Sequence, residues 1–173
     1  KKKVLVLGPV TESLLFQLRE KNCLLTLIDR QRTADGMAKR YCQAFIQGDP
    51  LRLHLGQFLR GRRFDATVTG ASLHTIDQPI PLLRRILPQL DRNGCLVATV
   101  PNPLHGSFRL AVLGGTVDRW QDTSVFSHPL GLLTLERVTQ LLAEVGFAVT
   151  DVNRSTVDPY REPFSDAPPW DLE

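Results

Sequence analysis

Short apolar runs recur along the chain, each stopped by glycine, proline or aspartate, and between them lie stretches whose apolar residues repeat at helical spacing. Lys3 to Gly8 (KVLVLG) is the first such run. It is aliphatic at alternating and intervening positions alike, as a strand buried on both faces of a parallel sheet must be. Leu14, Leu15 and Leu18 follow at helical spacing, with Thr11 placed to cap the first backbone N–H groups, and predict a helix to Lys21. Leu24 to Ile28 (LLTLI), ending at Asp29, is a second strand, far enough from the first for a parallel crossover.

The alternation continues. Thr33 to Arg40 predicts a helix, Gln43 to Ile46 a third strand that stops at Gly48 and Asp49, and Leu51 to Gly61 another helix. Phe64 to Thr69 (FDATVT) reads as a fourth strand closed by Gly70. Pro81 to Leu90 carries Leu82, Leu83, Ile86 and Leu87 on one helical face, with proline tolerated in the first turn. Asn93 and Gly94 turn the chain into a fifth strand, Cys95 to Val100, which ends at Pro101. Thr134 to Val145 is an amphipathic helix through Val138, Leu141, Leu142 and Val145, stopped by Gly146. Phe147 to Val152 predicts a sixth strand.

This succession predicts an α/β fold: a Rossmann-like three-layer sandwich with a mostly parallel, doubly wound sheet and helices on both faces. Residues 1–153 form the domain. Pro101 to Ser127 is rich in Gly, Pro and small polar residues, with one apolar stretch from Phe108 to Leu113 long enough for a helical turn or two, and is read as an insertion or lid. Residues 154–173 hold Pro159, Pro163, Pro168 and Pro169 and read as an extended tail.

Composition narrows the picture little. A chain of 173 residues suits one domain with its own core. No apolar run approaches the roughly 20 residues of a membrane span, and Val4 to Leu7 is too short for a signal-peptide core. Cys23, Cys42 and Cys95 are odd in number and far apart, which predicts buried reduced thiols in a cytoplasmic setting rather than disulfides or a metal site. The net charge of +3 gives no reason to expect nucleic acid. Arg60, Arg62 and Arg63, and Arg84 with Arg85, are basic runs that read as solvated faces. No GxSxG elbow or GxxxxGK[ST] loop occurs.

In doubly wound sheets ligands bind beyond the carboxyl ends of the strands. The residues there are Gly8 to Glu12, Asp29, Gly48 with Asp49, Thr69 to His74, and Pro101 to His105. Asp29 follows Gly8 by about 20 residues, the spacing at which a carboxylate accepts from a ribose hydroxyl pair. Its plainer role is as a loop or capping carboxylate. Asp49 lies in Gly-Asp-Pro, also an ordinary turn sequence. Glu12 suits a helix N-terminus through the macrodipole.

Val4 to Gly8, Asp29, Gly48-Asp49, Phe64-Asp65, Leu73 with Pro79, Leu90 to Val97 (LDRNGCLV), Val100-Pro101-Asn102 and Thr134 to Phe147 (TLERVTQLLAEVGF) together resemble the class I S-adenosylmethionine (SAM)-dependent methyltransferases, over nearly the whole chain to Val152. The resemblance implies that Gly8, Pro9 and Val10 face the methionine part of SAM, Asp29 the ribose and Asp49, with Gly48, the adenine amino group. It implies that Gly70 and Ala71 line the pocket near the sulfonium. The chain departs from the family where GxGxG becomes Gly8-Pro9-Val10-Thr11-Glu12, where Val6 replaces an acidic residue, and where Ala71, His74 and Thr75 replace polar ones.

His74 is placed to take a proton from a substrate hydroxyl, and His105 and His128 flank the lid where substrate would lie. The function so implied is methyl transfer from SAM to a small-molecule or saccharide-type acceptor. The alternative is a methyltransferase-fold domain that has lost SAM and binds a protein partner. Nicotinamide dinucleotide binding is the poorer reading, because GxGxxG is absent as well.

Overall fold

A computed structural model describes residues 1–32, 34–70, 73, 76, 78–100, 102, 106–115 and 134–154. Strand β1 (Lys3–Leu7) leads through helix α1 (Glu12–Glu20) to β2 (Leu24–Asp29), then α2 (Ala34–Tyr41), β3 (Ala44–Gln47), α3 (Leu55–Phe58), β4 (Phe64–Thr69), α4 (Pro79–Ile86) and β5 (Leu90–Val97). Helices α5 (Gly106–Leu113) and α6 (Leu135–Val145) follow. The strands form one sheet in the order β3-β2-β1-β4-β5, with every pair parallel. The predicted α/β doubly wound architecture is therefore the observed one.

Alternation along the central strands builds two cores. Val4, Val6, Leu25 and Leu27 point to one side, where Leu15 of α1 and Ala34 and Ala38 of α2 close over them. Leu5, Leu7 and Ile28 point to the other, beneath Leu55, Leu59, Leu82 and Ile86. Burial on both faces is why these strands are legible as continuous apolar runs. A third cluster joins Leu83 of α4 to Val145 of α6, with Leu96 of β5 and Phe147 packed against it.

Local chemistry sets the element ends. Thr11 and Thr134 each sit in extended backbone and accept through the side chain from the N–H three residues on, capping α1 and α6. Gly146 takes a left-handed φ of 102° and ends α6, while the Phe147 N–H turns back to the Leu142 carbonyl at 2.9 Å.

Four expectations are corrected. No sixth strand forms over 147–152: Phe147 is spent on the helix stop and the third cluster, and Val149 and Val152 remain exposed with no strand beside them among the described residues. The fifth strand runs from Leu90 to Val97 instead of Cys95 to Val100: it begins earlier because Asn93-Gly94 lies in an irregularity within it, where Phe64 pairs Leu90 and Ala66 next pairs Cys95, and its pairing ends with Val68 and Val97. The helix over 51–61 shrinks to Leu55–Phe58, since Arg60 and Gly61 take left-handed φ values of 52° and 67°. The helix expected to run to Leu90 stops at Ile86 and passes into a 3₁₀ turn, Leu87–Gln89, where Pro88 has no N–H to donate.

Of the predicted lid, α5 is described, and with it Asn102, Gly114 and Gly115. The remainder, and the tail from 155 onward, lie outside the described residues. Among the described residues, no helix is long and apolar enough to cross a membrane.

Candidate functional site

The loops leaving the carboxyl ends of four adjacent strands are stitched into one row. The Gly48 N–H donates to the Asp29 carbonyl at 2.8 Å, the Gly8 N–H to the Ile28 carbonyl at 2.8 Å, and the Gly70 N–H to the Leu7 carbonyl at 2.7 Å. Each bond extends a parallel ladder by one step. Gly48 with Asp49, Asp29, Gly8 with Pro9 and Val10, and Gly70 thus come together along one edge of the sheet.

Asp29 is buried, at 3% exposure. Its Oδ1 accepts from the Gln31 N–H at 2.8 Å, which fixes the carboxylate over the neighbouring loop. Gly8 is required beneath it, because a Cβ there would overlap the Asp29 carboxyl group. Asp49 accepts the Leu51 N–H at 2.9 Å through Oδ1, and its Oδ2 lies 3.0 Å from Arg30 Nη2 and 3.7 Å from Arg52 Nε. Arg30 follows Asp29 directly, so this ion pair spans the ends of β2 and β3. Carboxylates are acceptors only, and these two suit hydroxyl and amino donors.

The other half of the row is apolar and closed. Gly8-Pro9 is a cis peptide, and Val10 packs its Cγ1 against Gly70, with the Pro9 carbonyl beside it. A Cβ on Gly70 would overlap both. Glu12 points away into the protein surface, where it accepts from Arg40 Nη1 at 3.2 Å and from the Tyr41 hydroxyl at 2.9 Å. That hydrogen bond to Glu12, before burial and the Glu12 charge, raises the Tyr41 pKa. Thr69, the last residue of β4, keeps a buried hydroxyl without a hydrogen-bond partner among the described residues. The Leu73 N–H donates to the Thr99 carbonyl at 2.7 Å and ties the segment after β4 to the segment after β5.

The β2–β3 side carries two carboxylates, Asp29 buried and Asp49 partly exposed, each held by a backbone N–H of its own loop. On the β1–β4 side, Val10 Cγ1 and the Pro9 carbonyl lie against Gly70, where the family resemblance sets the methionine part of SAM. Sequence reasoning missed Arg30; it neighbours Asp29, already singled out, and that adjacency was the available signal.

Ala71, His74, His105 and His128 lie outside the described residues. Open cavities of about 410 Å³ against His54, Gln57 and Arg85, and about 270 Å³ against Thr26, Ala44, Phe58 and Arg60, lie apart from the strand-end row. The basic runs are partly structural: Arg63 donates to the Pro88 carbonyl, and Arg85 to that of Leu53 at 2.5 Å. The cysteines are free thiols, but only Cys23 and Cys42 are half-buried; Cys95 is exposed on the edge strand, contrary to expectation. Burial pushes the Cys42 thiol up to about 11.

No protein-family model matches the sequence, and no curated protein does. Solved structures do match. A SAM-dependent methyltransferase from Thermotoga maritima is 16% identical with a TM-score of 0.61, over 86% of this chain and 65% of its own. Another from Archaeoglobus fulgidus is 14% identical with a TM-score of 0.59, over 91% and 73%. The plantazolicin methyltransferase BpumL, in complex with S-adenosylhomocysteine (SAH), is 20% identical with a TM-score of 0.57, over 84% and 55%. The chain spans about half the length of several of the structures it matches. Strand order, helices on both faces and these likenesses agree: this chain has the fold of the class I SAM-dependent methyltransferases.

Proposed function

We propose that this chain is a SAM-dependent methyltransferase domain acting on a small-molecule or saccharide-type acceptor in the cytoplasm. The observation that carries the reading is the strand-end row, in which Asp29 and Asp49 stand at the carboxyl ends of neighbouring strands in one row with Gly8 and Gly70, at the point where ligands bind in such sheets. The fold shared with a methyltransferase in complex with SAH supports it.

When bound, SAM supplies an electrophilic methyl group. This chain's own residues orient and exclude. Asp29 would accept from the ribose hydroxyls, Asp49 from the adenine amino group, and Gly8 leaves room for the Asp29 carboxyl. Gly70 and Ala71 would flank the reacting end. His74, following β4 in sequence, would take the acceptor proton, with His105 and His128 meeting substrate. Positioning alone is worth several kcal/mol in such a transfer, so few polar groups are required.

A second reading, a methyltransferase-fold domain without SAM that works through a protein partner, is favoured by the contact of Val10 with Gly70. Calorimetric titration with SAM and SAH separates the two. Binding in the micromolar range supports the enzyme. No heat from a protein shown by circular dichroism to be folded overturns it, and SAM binding gained by Val10→Gly combined with Glu12→Gly then identifies the second reading.

A further inference from the structure

We propose that a groove beside the edge strand β3, apart from the crevice at the strand-end row, seats this chain's own segment 155–173, with the Trp170 ring on its apolar floor and Asp171 on two arginines at its rim. The groove encloses about 270 Å³ and is lined by Ile46 of β3, by Phe58 and Leu59 at the end of α3, and by Arg60 and Arg62 beyond it. A space of that size takes one aromatic side chain. β3 stands at the end of the strand order, paired with β2 alone among the described residues.

The groove's own groups are unmatched. Phe58 is 51% exposed. Phe16 is exposed to the same extent, but the Tyr41 ring stands edge-on to it at 6.4 Å, whereas no ring meets Phe58 among the described residues. The cations divide likewise. Arg63 donates to the Pro88 and Leu90 carbonyls, and Arg30 and Arg52 flank Asp49, but Arg60 and Arg62 make no hydrogen bond or ion pair among the described residues. A left-handed turn at Arg60 and Gly61, with φ of 52° and 67°, brings both guanidinium groups to one rim. An exposed ring beside two unopposed guanidinium groups suits an aromatic side chain followed by a carboxylate.

The chain carries that chemistry itself. Residues 155–173 hold five acidic side chains, Asp158, Glu162, Asp166, Asp171 and Glu173, against one basic, Arg161. The segment is net −4 and the chain net +3, so residues 1–154 are net +7 and attract it. Trp170 is followed directly by Asp171, and of the aromatic side chains tryptophan buries most area and attracts a guanidinium most strongly. Pro168 and Pro169, just ahead of it, restrict the backbone and lower the entropy lost on docking. Reach is sufficient: the stretch from Arg154 to Trp170 spans about 50 Å when extended, against a diameter of about 40 Å for a globular chain of this size.

The test follows Trp170 fluorescence in the full chain carrying Trp120→Phe, which leaves Trp170 as the sole tryptophan. At low ionic strength, acrylamide should quench it about threefold less than it quenches free tryptophan amide, as burial of the ring requires. Quenching should rise to the free value in Phe58→Ala and in Arg60→Glu combined with Arg62→Glu, and should rise toward it at about 1 M salt, where charges more than about 3 Å apart are screened. Arg84→Glu, which reverses an exposed charge outside the groove, should change nothing. Where the double reversal disturbs the circular dichroism, Arg62→Gln should give a partial rise. Free quenching in the parent chain overturns the proposal, and so does protection that survives the groove variants with native circular dichroism. A loss equal to theirs in Arg84→Glu reduces the contact to net charge and overturns the groove as its seat. Protection that grows with protein concentration places the segment on a second copy and overturns the intramolecular contact.

Discussion

Thr67 and Thr69 carry buried hydroxyls without partners among the described residues, an arrangement that costs free energy unless something else is gained. Thr67 is fully buried beside Leu5 and two residues from the crevice, so nothing recovers its cost. Thr67→Val should therefore raise the unfolding free energy by about 1 kcal/mol, read from the midpoint of urea denaturation. At this scale the sequence was informative wherever position alone decides. Asp29, Asp49, Gly8 and Gly70 were legible because each follows a strand. The ion pair of Arg30 with Asp49 and the contact of Val10 with Gly70 were not, since both depend on the distance between loops far apart in sequence.

The elements follow the same division. β1 and β2 were readable because burial on both faces demands nearly unbroken apolar runs, and α1 and α6 because threonine caps mark their starts. The sixth strand was misread because Phe147 to Val152 has the alternation of a strand and none of the neighbours that would bury it. The fifth strand was shortened by a turn signal, Asn93-Gly94, that the structure uses as an irregularity inside the ladder. The helix caps make a direct prediction. Thr134→Ala removes the acceptor for the Arg137 N–H and should lower stability by about 1 kcal/mol, seen as a shift in the thermal midpoint. A shift no larger than that of the exposed Glu136→Ala would deny the cap its role.

Across the whole molecule, β1 is pinned at its start by Asp65 of β4, whose Oδ2 accepts the Lys3 N–H at 2.7 Å while Oδ1 lies 3.5 Å from Lys2 Nζ. That backbone hydrogen bond, with the Lys2 charge, holds the Asp65 carboxyl below its ordinary value of 3.8. A carboxyl with a lowered pKa in the folded state contributes its stability above the unfolded value, and loses it as pH falls through the folded one. Asp65→Asn should accordingly lower the thermal midpoint at neutral pH. The gap from the wild type should close as the pH is taken below about 4, and a gap independent of pH would remove the carboxylate from the explanation.

The hydrogen bonds that hold Glu12 have a mechanical consequence. The span from Gly8 to Glu12 is clamped at both ends, to β2 through the Ile28 carbonyl and to α2 through Arg40 and Tyr41. A span clamped twice bows but does not swing. Movement of Val10 away from Gly70 therefore falls on Pro9 to Thr11, between the two anchored ends. The stiffness of that bend is set partly by two surface side chains, Arg40 and Tyr41, that no ligand in the crevice would touch.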